Sequence, residues 1–263
     1  MARRYDRHDL YQRSVQTVDS EIDFVDATYK ALRGRLPRTL REDFCGTANT
    51  SCEFVRRRPT NRAFGVDLDA PTLAWGIEHN IARLKPGARG RVELVRGNVL
   101  SARTPPADVL LAMNFSYFIF KERATLRDYF KHARKSLARG GLFFLDAYGG
   151  SDAFRTLRES RKVAPGITYI WHQADYDPIT GSTTCHIHFR FKDGSRIKDA
   201  FTYQWRVWTL PEIREVLLEA GFRKATVYWE GWDEKKWEGN GVFKPAERGD
   251  PDLGWIVYIV AER

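Results

Sequence analysis

Two acidic residues stand where successive apolar runs end: Glu42 in Arg41-Glu42-Asp43-Phe44-Cys45-Gly46-Thr47-Ala48-Asn49-Thr50-Ser51, and Asp67 in Phe64-Gly65-Val66-Asp67-Leu68-Asp69. The interval from Gly46 to Asp67 matches the roughly 20 residues that separate a nucleotide-binding turn from an acid that accepts hydrogen bonds from ribose hydroxyls. A pyrophosphate would call for G-x-G-x-x-G, whose glycines admit phosphate to a helix N-terminus, whereas this loop has Gly46 alone. The Glu42 carboxylate would repel phosphate and favour a ligand that carries ammonium and sulfonium charges. Either acid by itself reads equally well as an ordinary strand-end residue. The pair at this spacing points to a phosphate-free nucleoside.

The elements that must position these acids alternate. Apolar spacing predicts a helix over 20–36, then a strand over 39–44, a turn at 45–48 and a helix over 49–57. A strand at 63–67, a helix at 71–83, strands at 92–97 and 108–113, and a helix from Leu126 to Gly140-Gly141 follow, before the continuous apolar run Leu142-Phe143-Phe144-Leu145 of a buried parallel strand. Strands alternating with helices imply an α/β fold with a doubly wound, mostly parallel sheet. From about 167 to 207 the texture changes, with hairpin signals at Asp177-Pro178, Thr180-Gly181 and Asp193-Gly194. These residues predict an antiparallel β insertion after the fifth strand, lying over the core as a lid. Thr209 and Glu212 have capping-box spacing before a helix ending at Gly221, and strands at 224–229 and 254–260 close the chain around an irregular Trp-rich excursion. The expected organisation is an N-terminal helical segment at 1–36, an α/β core at 37–150, the insertion at 151–208, and a helix and strands at 209–263 that complete the core.

The stretch from Glu42 to Ala48 resembles the D/E-x-G-x-G-x-G motif of class I S-adenosylmethionine-dependent methyltransferases of the small-molecule type. Glu42 stands at the acid, Gly46 at the central glycine and Ala48 at the last, while Phe44 departs from the first glycine. Gly65-Val66-Asp67-Leu68 is similar to the second motif, which implies that Asp67 holds the cofactor ribose and Leu68 lies beside the adenine. Val95-Arg96-Gly97-Asn98-Val99 resembles the third, which implies that Asn98 offers an amide oxygen to the adenine amino group, with Val99 next to it. Asn114, in Met113-Asn114-Phe115-Ser116, occupies the position that lines the methyl-transfer site in such enzymes. The resemblance covers residues 35–150 and, more loosely, the C-terminal helix and strands. It implies a Rossmann-like core, S-adenosylmethionine as cofactor, and methyl transfer to a small amine or hydroxyl compound. Before this core, Tyr11 and Arg13 are candidates to meet the cofactor carboxylate, although termini are commonly mobile unless docked.

The insertion mixes aromatic and titratable residues, as a roof over a small-molecule pocket would. Aromatic side chains also simply favour strands. Tyr117, Tyr148 and His172 follow or face strand ends predicted to border that pocket and are the candidates for the acceptor site. His186 and His188 share one strand face, but no convincing third ligand accompanies them and no metal is expected. Lys+Arg 43 against Asp+Glu 34 gives a net charge of +9, which on its own would suit RNA as a methyl acceptor. The cations are scattered rather than gathered in a track, so small molecules lead. A protein that binds S-adenosylmethionine without turnover is the reading from outside enzymology, kept open by Phe44 and Asn98. Three cysteines without paired spacing, a charged N-terminus and no run of ~20 apolar residues lead us to expect a cytoplasmic protein that does not enter a membrane. The oligomeric state is not legible.

Overall fold

The computed structural model describes residues 1–235 and 238–263. Two N-terminal helices, α1 (Arg7–Ser14) and α2 (Val18–Arg33), precede the alternating core of β1 (Thr39–Asp43), α3 (Asn49–Arg57), β2 (Arg62–Asp67), α4 (Ala70–His79), α5 (Pro86–Arg89), β3 (Val92–Arg96), β4 (Ala107–Ala112), α6 (Arg123–Ser136) and β5 (Leu137–Gly149). The insertion contributes β6 (Leu157–Ala164), β7 (Ile167–Gln173), β8 (Ser182–Phe191) and β9 (Arg196–Arg206), and α7 (Leu210–Glu219), β10 (Lys224–Asp233), β11 (Glu238–Pro245) and β12 (Trp255–Glu262) return to the core.

The main sheet runs β11-β10-β12-β5-β4-β1-β2-β3. Its strands β5, β4, β1, β2 and β3 are parallel, and β12 enters antiparallel to β5. The chain therefore leaves β1 for β2 on one side and returns to β4 on the other. Such a switch point opens a crevice at the carboxyl ends of the strands, where open α/β sheets bind ligands. Pleating sorts the central strand between two cores: Val109 and Leu111 pack with α2 and α3, whereas Leu110 and Ala112 pack with α6 and α7. Each large apolar side chain fully withdrawn from water there contributes about 1.5–3 kcal/mol.

Some of the cations crowded in the sequence are structural. Arg57 reaches Asp23 at 2.7 Å and Arg58 reaches Asp26 at 2.7 Å, fastening α3 to α2. Beneath the sheet ends, Arg41 and Asp43 form a wholly buried pair at 2.7 Å, with Tyr129 donating to the same carboxylate at 3.0 Å. Removing one member would strand the other charge, an error that typically costs about 3–5 kcal/mol.

The insertion folds as the expected antiparallel sheet, in the order β6-β7-β8-β9. Its edge strand β6, Leu-Arg-Glu-Ser-Arg-Lys-Val-Ala, is largely exposed and shows no apolar alternation, which is why the sequence gives it away so poorly. The helix expected to reach Gly140 stops at Ser136, because Leu137 already pairs with Ala107 of β4. The expected excursion after residue 229 is instead a hairpin: β10 extends to Asp233 and β11 pairs with it across a bulge. Lys236 and Trp237 of that excursion lie outside the described residues. No helix among the described residues is long and apolar enough to cross a membrane.

Candidate functional site

The turn after β1 is built on three left-handed residues, Phe44 (φ 57°), Gly46 (φ 52°) and Ala48 (φ 56°). A side chain in this region costs roughly 1–2 kcal/mol, so Phe44 and Ala48 keep glycine's conformation against a penalty. The surroundings hold it. Cys45 N donates to Val66 O at 3.1 Å and Ala48 N to Cys45 O at 2.8 Å. Helix α4 presses on the turn from outside: a Cβ on Gly76 would lie 2.5 Å from the Thr47 carbonyl oxygen, and Asn80 Nδ2 donates to that oxygen at 2.8 Å. From the other side Gln12 Nε2 of α1 donates to Thr47 Oγ1 at 2.7 Å, and Asn49 Nδ2 donates to Gln16 Oε1 at 3.2 Å.

Glu42 caps the helix that this turn starts. Its Oε2 accepts from Ser51 N at 2.9 Å and from Ser51 Oγ at 2.5 Å, while burial pushes its pKa up to about 7. Asp67, half-buried at the end of β2, accepts from Gly46 N at 2.8 Å through Oδ2 and from Asp69 N at 2.9 Å through Oδ1. A carboxylate has about four lone-pair sites, so it retains capacity for a diol. Leu68 follows, 62% exposed. Across the parallel pairing Asp67↔Arg96, Asn98 and buried Val99 extend the same edge of the sheet. Asn98 Oδ1 already accepts from Leu100 N at 2.9 Å. The amide oxygen expected for an adenine is thus partly spent on its own turn.

Farther along the row of strand ends, beyond β1 and β4, lies a cavity of about 670 Å³, bounded by the α1–α2 junction, the Asn114-Phe115 turn, the ends of β5 and β12, and one face of the insertion. Asn114 and Phe115 are both left-handed, and the Asp146 carboxylate fixes them by accepting from their amides at 2.8 Å each. Burial raises Asp146 to about 7 as well. Among the described residues the walls hold Trp171, Tyr203, Trp205, Trp229 and Trp255, together with Glu21, Asp152, Glu159, Glu230 and Asp252 against one cation, Arg161. Aromatic faces with surplus carboxylates attract cations and repel phosphates.

The structure brings Tyr11, Asn114 and Tyr148 to this cavity. The Tyr148 hydroxyl faces the Cys185 thiol, and burial together with that neighbour raises its pKa strongly, so it stays a phenol. Three expected placements need correction. Tyr117 is fully buried under the sheet ends, where its hydroxyl donates to the Asp146 carbonyl at 2.8 Å; it does not border the cavity. His172 points away because strand faces alternate: Tyr169, Trp171 and Gln173 line the cavity, and His172 lies on the outer face with His186 and His188. Burial and nearby Arg158 lower its pKa. Arg13 is exposed on α1 and pairs with Asp9 at 3.0 Å, leaving Gln12 and Tyr11 as the residues of that helix that reach the site. The terminus itself is docked, with Leu10 buried in the core of the insertion and Tyr5 stacked on Phe191 at 5.0 Å.

Sequence reasoning missed Glu21, Asp146 and Gln12. A signal existed for Glu21: it sits with Val25 and Thr28 at helical spacing on the buried stripe of α2, an acid where an apolar residue belongs. Among the described residues no cluster of His, Cys, Asp and Glu is arranged to hold a metal ion.

No protein-family model matches the chain, and no curated protein does. Solved structures do. An S-adenosylmethionine-dependent methyltransferase from Clostridium acetobutylicum superposes with a TM-score of 0.69 at 15% identity, over 97% of this chain and 96% of that one. DesVI from Streptomyces venezuelae gives 0.68 at 15% identity over 98% of each chain. An amino pentose methyltransferase from Micromonospora echinaspora involved in calicheamicin biosynthesis, solved with S-adenosylmethionine bound, gives 0.67 at 16% identity over 98% of this chain and 97% of that one. The chain has the Rossmann-like fold of S-adenosylmethionine-dependent methyltransferases, shared over 97–98% of its length with these structures.

Proposed function

We propose that the protein is an S-adenosylmethionine-dependent methyltransferase whose acceptor is a small molecule held beneath the insertion, an amine in preference to a hydroxyl compound. One observation carries this reading: the turn at Phe44, Gly46 and Ala48 keeps a glycine-loop conformation beside Asp67, and the same row of strand ends borders, at Asn114 and Asp146, a cavity rich in carboxylates and aromatic rings. Asp67 would hold the ribose hydroxyls, Leu68, Asn98 and Val99 the adenine, and the Gly46–Ala48 backbone, Tyr11 and Asn114 the rest of the cofactor. Glu42 serves by holding α3 and the turn in place. When bound, S-adenosylmethionine supplies a methyl group already activated on its sulfonium, so the chain's work is to align and to exclude water.

The acceptor end suits that task. Glu159 and Glu230 draw an ammonium inward and can take the proton that an amine must lose before its lone pair attacks. Trp171 and Trp205 enclose the methylene portion, and neutral Tyr148 can donate to the acceptor. The similar amino pentose methyltransferase from Micromonospora echinaspora supports an amine.

Methyl-labelled S-adenosylmethionine incubated with matched panels of small amines, phenols and carboxylates checks the assignment. We expect label in at least one amine and one S-adenosylhomocysteine formed per methyl transferred. Label reaching bulk RNA alone, with a steep loss of binding as salt rises, would overturn it.

A further inference from the structure

We propose that Glu21 anchors the α-ammonium of bound S-adenosylmethionine, which makes α2 part of the cofactor site; the inference rests on the cofactor assigned above. Glu21 is 5% exposed and faces the cavity. Its carboxylate has one long side-chain contact, from Thr50 Oγ1 at 3.5 Å, and the backbone amide of Thr17 beside it. The two neighbouring buried acids are provided for differently: Glu42 takes two bonds from Ser51, and Asp146 takes two backbone amides. The groups that face Glu21 from the packed elements are the carboxylates of Glu42 on β1 and Asp146 on β5 and the phenols of Tyr11 on α1 and Tyr258 on β12. Among the described residues no cation pairs with it. Arg161, the one cation of the cavity wall among the described residues, donates instead to the Ser14 carbonyl and lies over the Tyr169 ring. Burial pushes the Glu21 carboxyl up to about 7, against the opposing pull of the Thr17 amide and the Thr50 hydroxyl.

Native proteins pair or fully hydrogen-bond the charges they bury, and the strand order says what is missing here. The adenine and ribose positions, Asn98, Leu68 and Asp67, lie at the ends of β3 and β2. A nucleoside seated there directs its 5′ substituent across β1 toward β4, the place where Thr50, Glu21 and Asn114 meet. That substituent ends in an amino acid. Its carboxylate would be repelled by three neighbouring acids, and its sulfonium has no hydrogen to donate, whereas its ammonium brings a positive charge and donors beyond the Thr17 amide and the long Thr50 contact.

Calorimetric titration at pH 8 of the full chain and of Glu21→Gln tests this with a ligand ladder. S-adenosylhomocysteine carries the ammonium without the sulfonium, decarboxylated S-adenosylmethionine keeps the ammonium without the carboxylate, and 5′-methylthioadenosine lacks the amino acid altogether. We expect Glu21→Gln to bind the first two tenfold or more weaker and 5′-methylthioadenosine within twofold of the unaltered chain. Unchanged affinity for all three, or equal weakening of all three, overturns the role of Glu21 while leaving the cofactor assignment standing. Failure of the unaltered chain to bind any of the three overturns both.

Discussion

The two ends of the site are made by different means. At the nucleoside end the geometry is backbone geometry: a left-handed turn clamped by Asp67, Asn80 and Gln12 and backed by Gly76, through which α4 packs directly on the turn. Nearly every polar group there is already satisfied within the chain. At the proposed acceptor end the walls are side chains from the insertion and from the β10–β12 region, with carboxylates in excess and the Trp205 indole N–H without a partner among the described residues. The difference teaches where each property resides. On the proposed reading, a ligand common to many enzymes of one fold is held by a turn that the fold itself dictates, whereas the acceptor would be chosen by side chains on an insertion that can change without disturbing that turn.

Substitutions on either side sharpen this contrast, the largest effect coming at the clamp. Asp67→Ala removes the acceptor for Gly46 N–H and the proposed ribose ligand together. The loss of a charge-assisted hydrogen bond, about 1.5–3 kcal/mol, should lower affinity for S-adenosylhomocysteine by about 10- to 150-fold in a calorimetric titration. An affinity within twofold of the original would show that the turn needs no carboxylate. Gly76→Ala forces a methyl group against the Thr47 carbonyl. Urea unfolding should register a destabilisation of about 1–3 kcal/mol, the usual consequence of overpacking, with weaker cofactor binding in the same variant.

Glu21→Gln probes the boundary between the two ends through pH. Burial raises the folded pKa of Glu21 to about 7 from an ordinary value of 4.5, so folding favours the protonated acid. That stabilisation is complete below the unfolded value and is lost as pH rises through about 7, at about 1.4 kcal/mol per unit of separation. Glutamine stays neutral throughout. Without ligand, the variant should match the unaltered chain near pH 4 and exceed it by about 1 kcal/mol or more at pH 8, a residue whose removal strengthens the fold and weakens binding. Chemical denaturation at the two pH values measures this, and equal stability differences at both would contradict an uncompensated buried carboxylate.

The smallest effects come from neighbours on opposite faces of β7. Trp171→Ala should raise the acceptor KM about tenfold with cofactor affinity unchanged, whereas His172→Ala should alter neither. Steady-state kinetics with the amine found by labelling would show it. A loss of turnover in His172→Ala would return that residue to the acceptor site.

How much of this was legible in the sequence follows from the same contrast. The nucleoside end is local in sequence: Glu42, Gly46, Ala48 and Asp67 are ordered by strands and a turn that periodicity and residue type reveal, and Thr209 with Glu212 forms the capping box that its spacing announces. The acceptor end depends on register and on strand parity. Counting along β7 does not say which of Trp171 and His172 faces inward until the sheet is seated on the core, and nothing local tells that Tyr117 turns its hydroxyl under the sheet toward Asp146. Strands β6 and β11 are exposed edges whose polar residues carry no alternation. Glu21 could have been noticed, an acid on an apolar stripe, but its meaning needed the other two acids, which reach it only through the fold.

The most direct test of a phosphate-free nucleoside site is one calorimetric comparison of the purified chain titrated with S-adenosylhomocysteine and with NADH at physiological salt. We expect one equivalent of S-adenosylhomocysteine to bind with a heat that Asp67→Ala diminishes, and NADH to give none, because the turn lacks the glycines a pyrophosphate requires and presents carboxylates in their place. Tight NADH binding with no response to S-adenosylhomocysteine would contradict the cofactor and the reaction proposed for this protein.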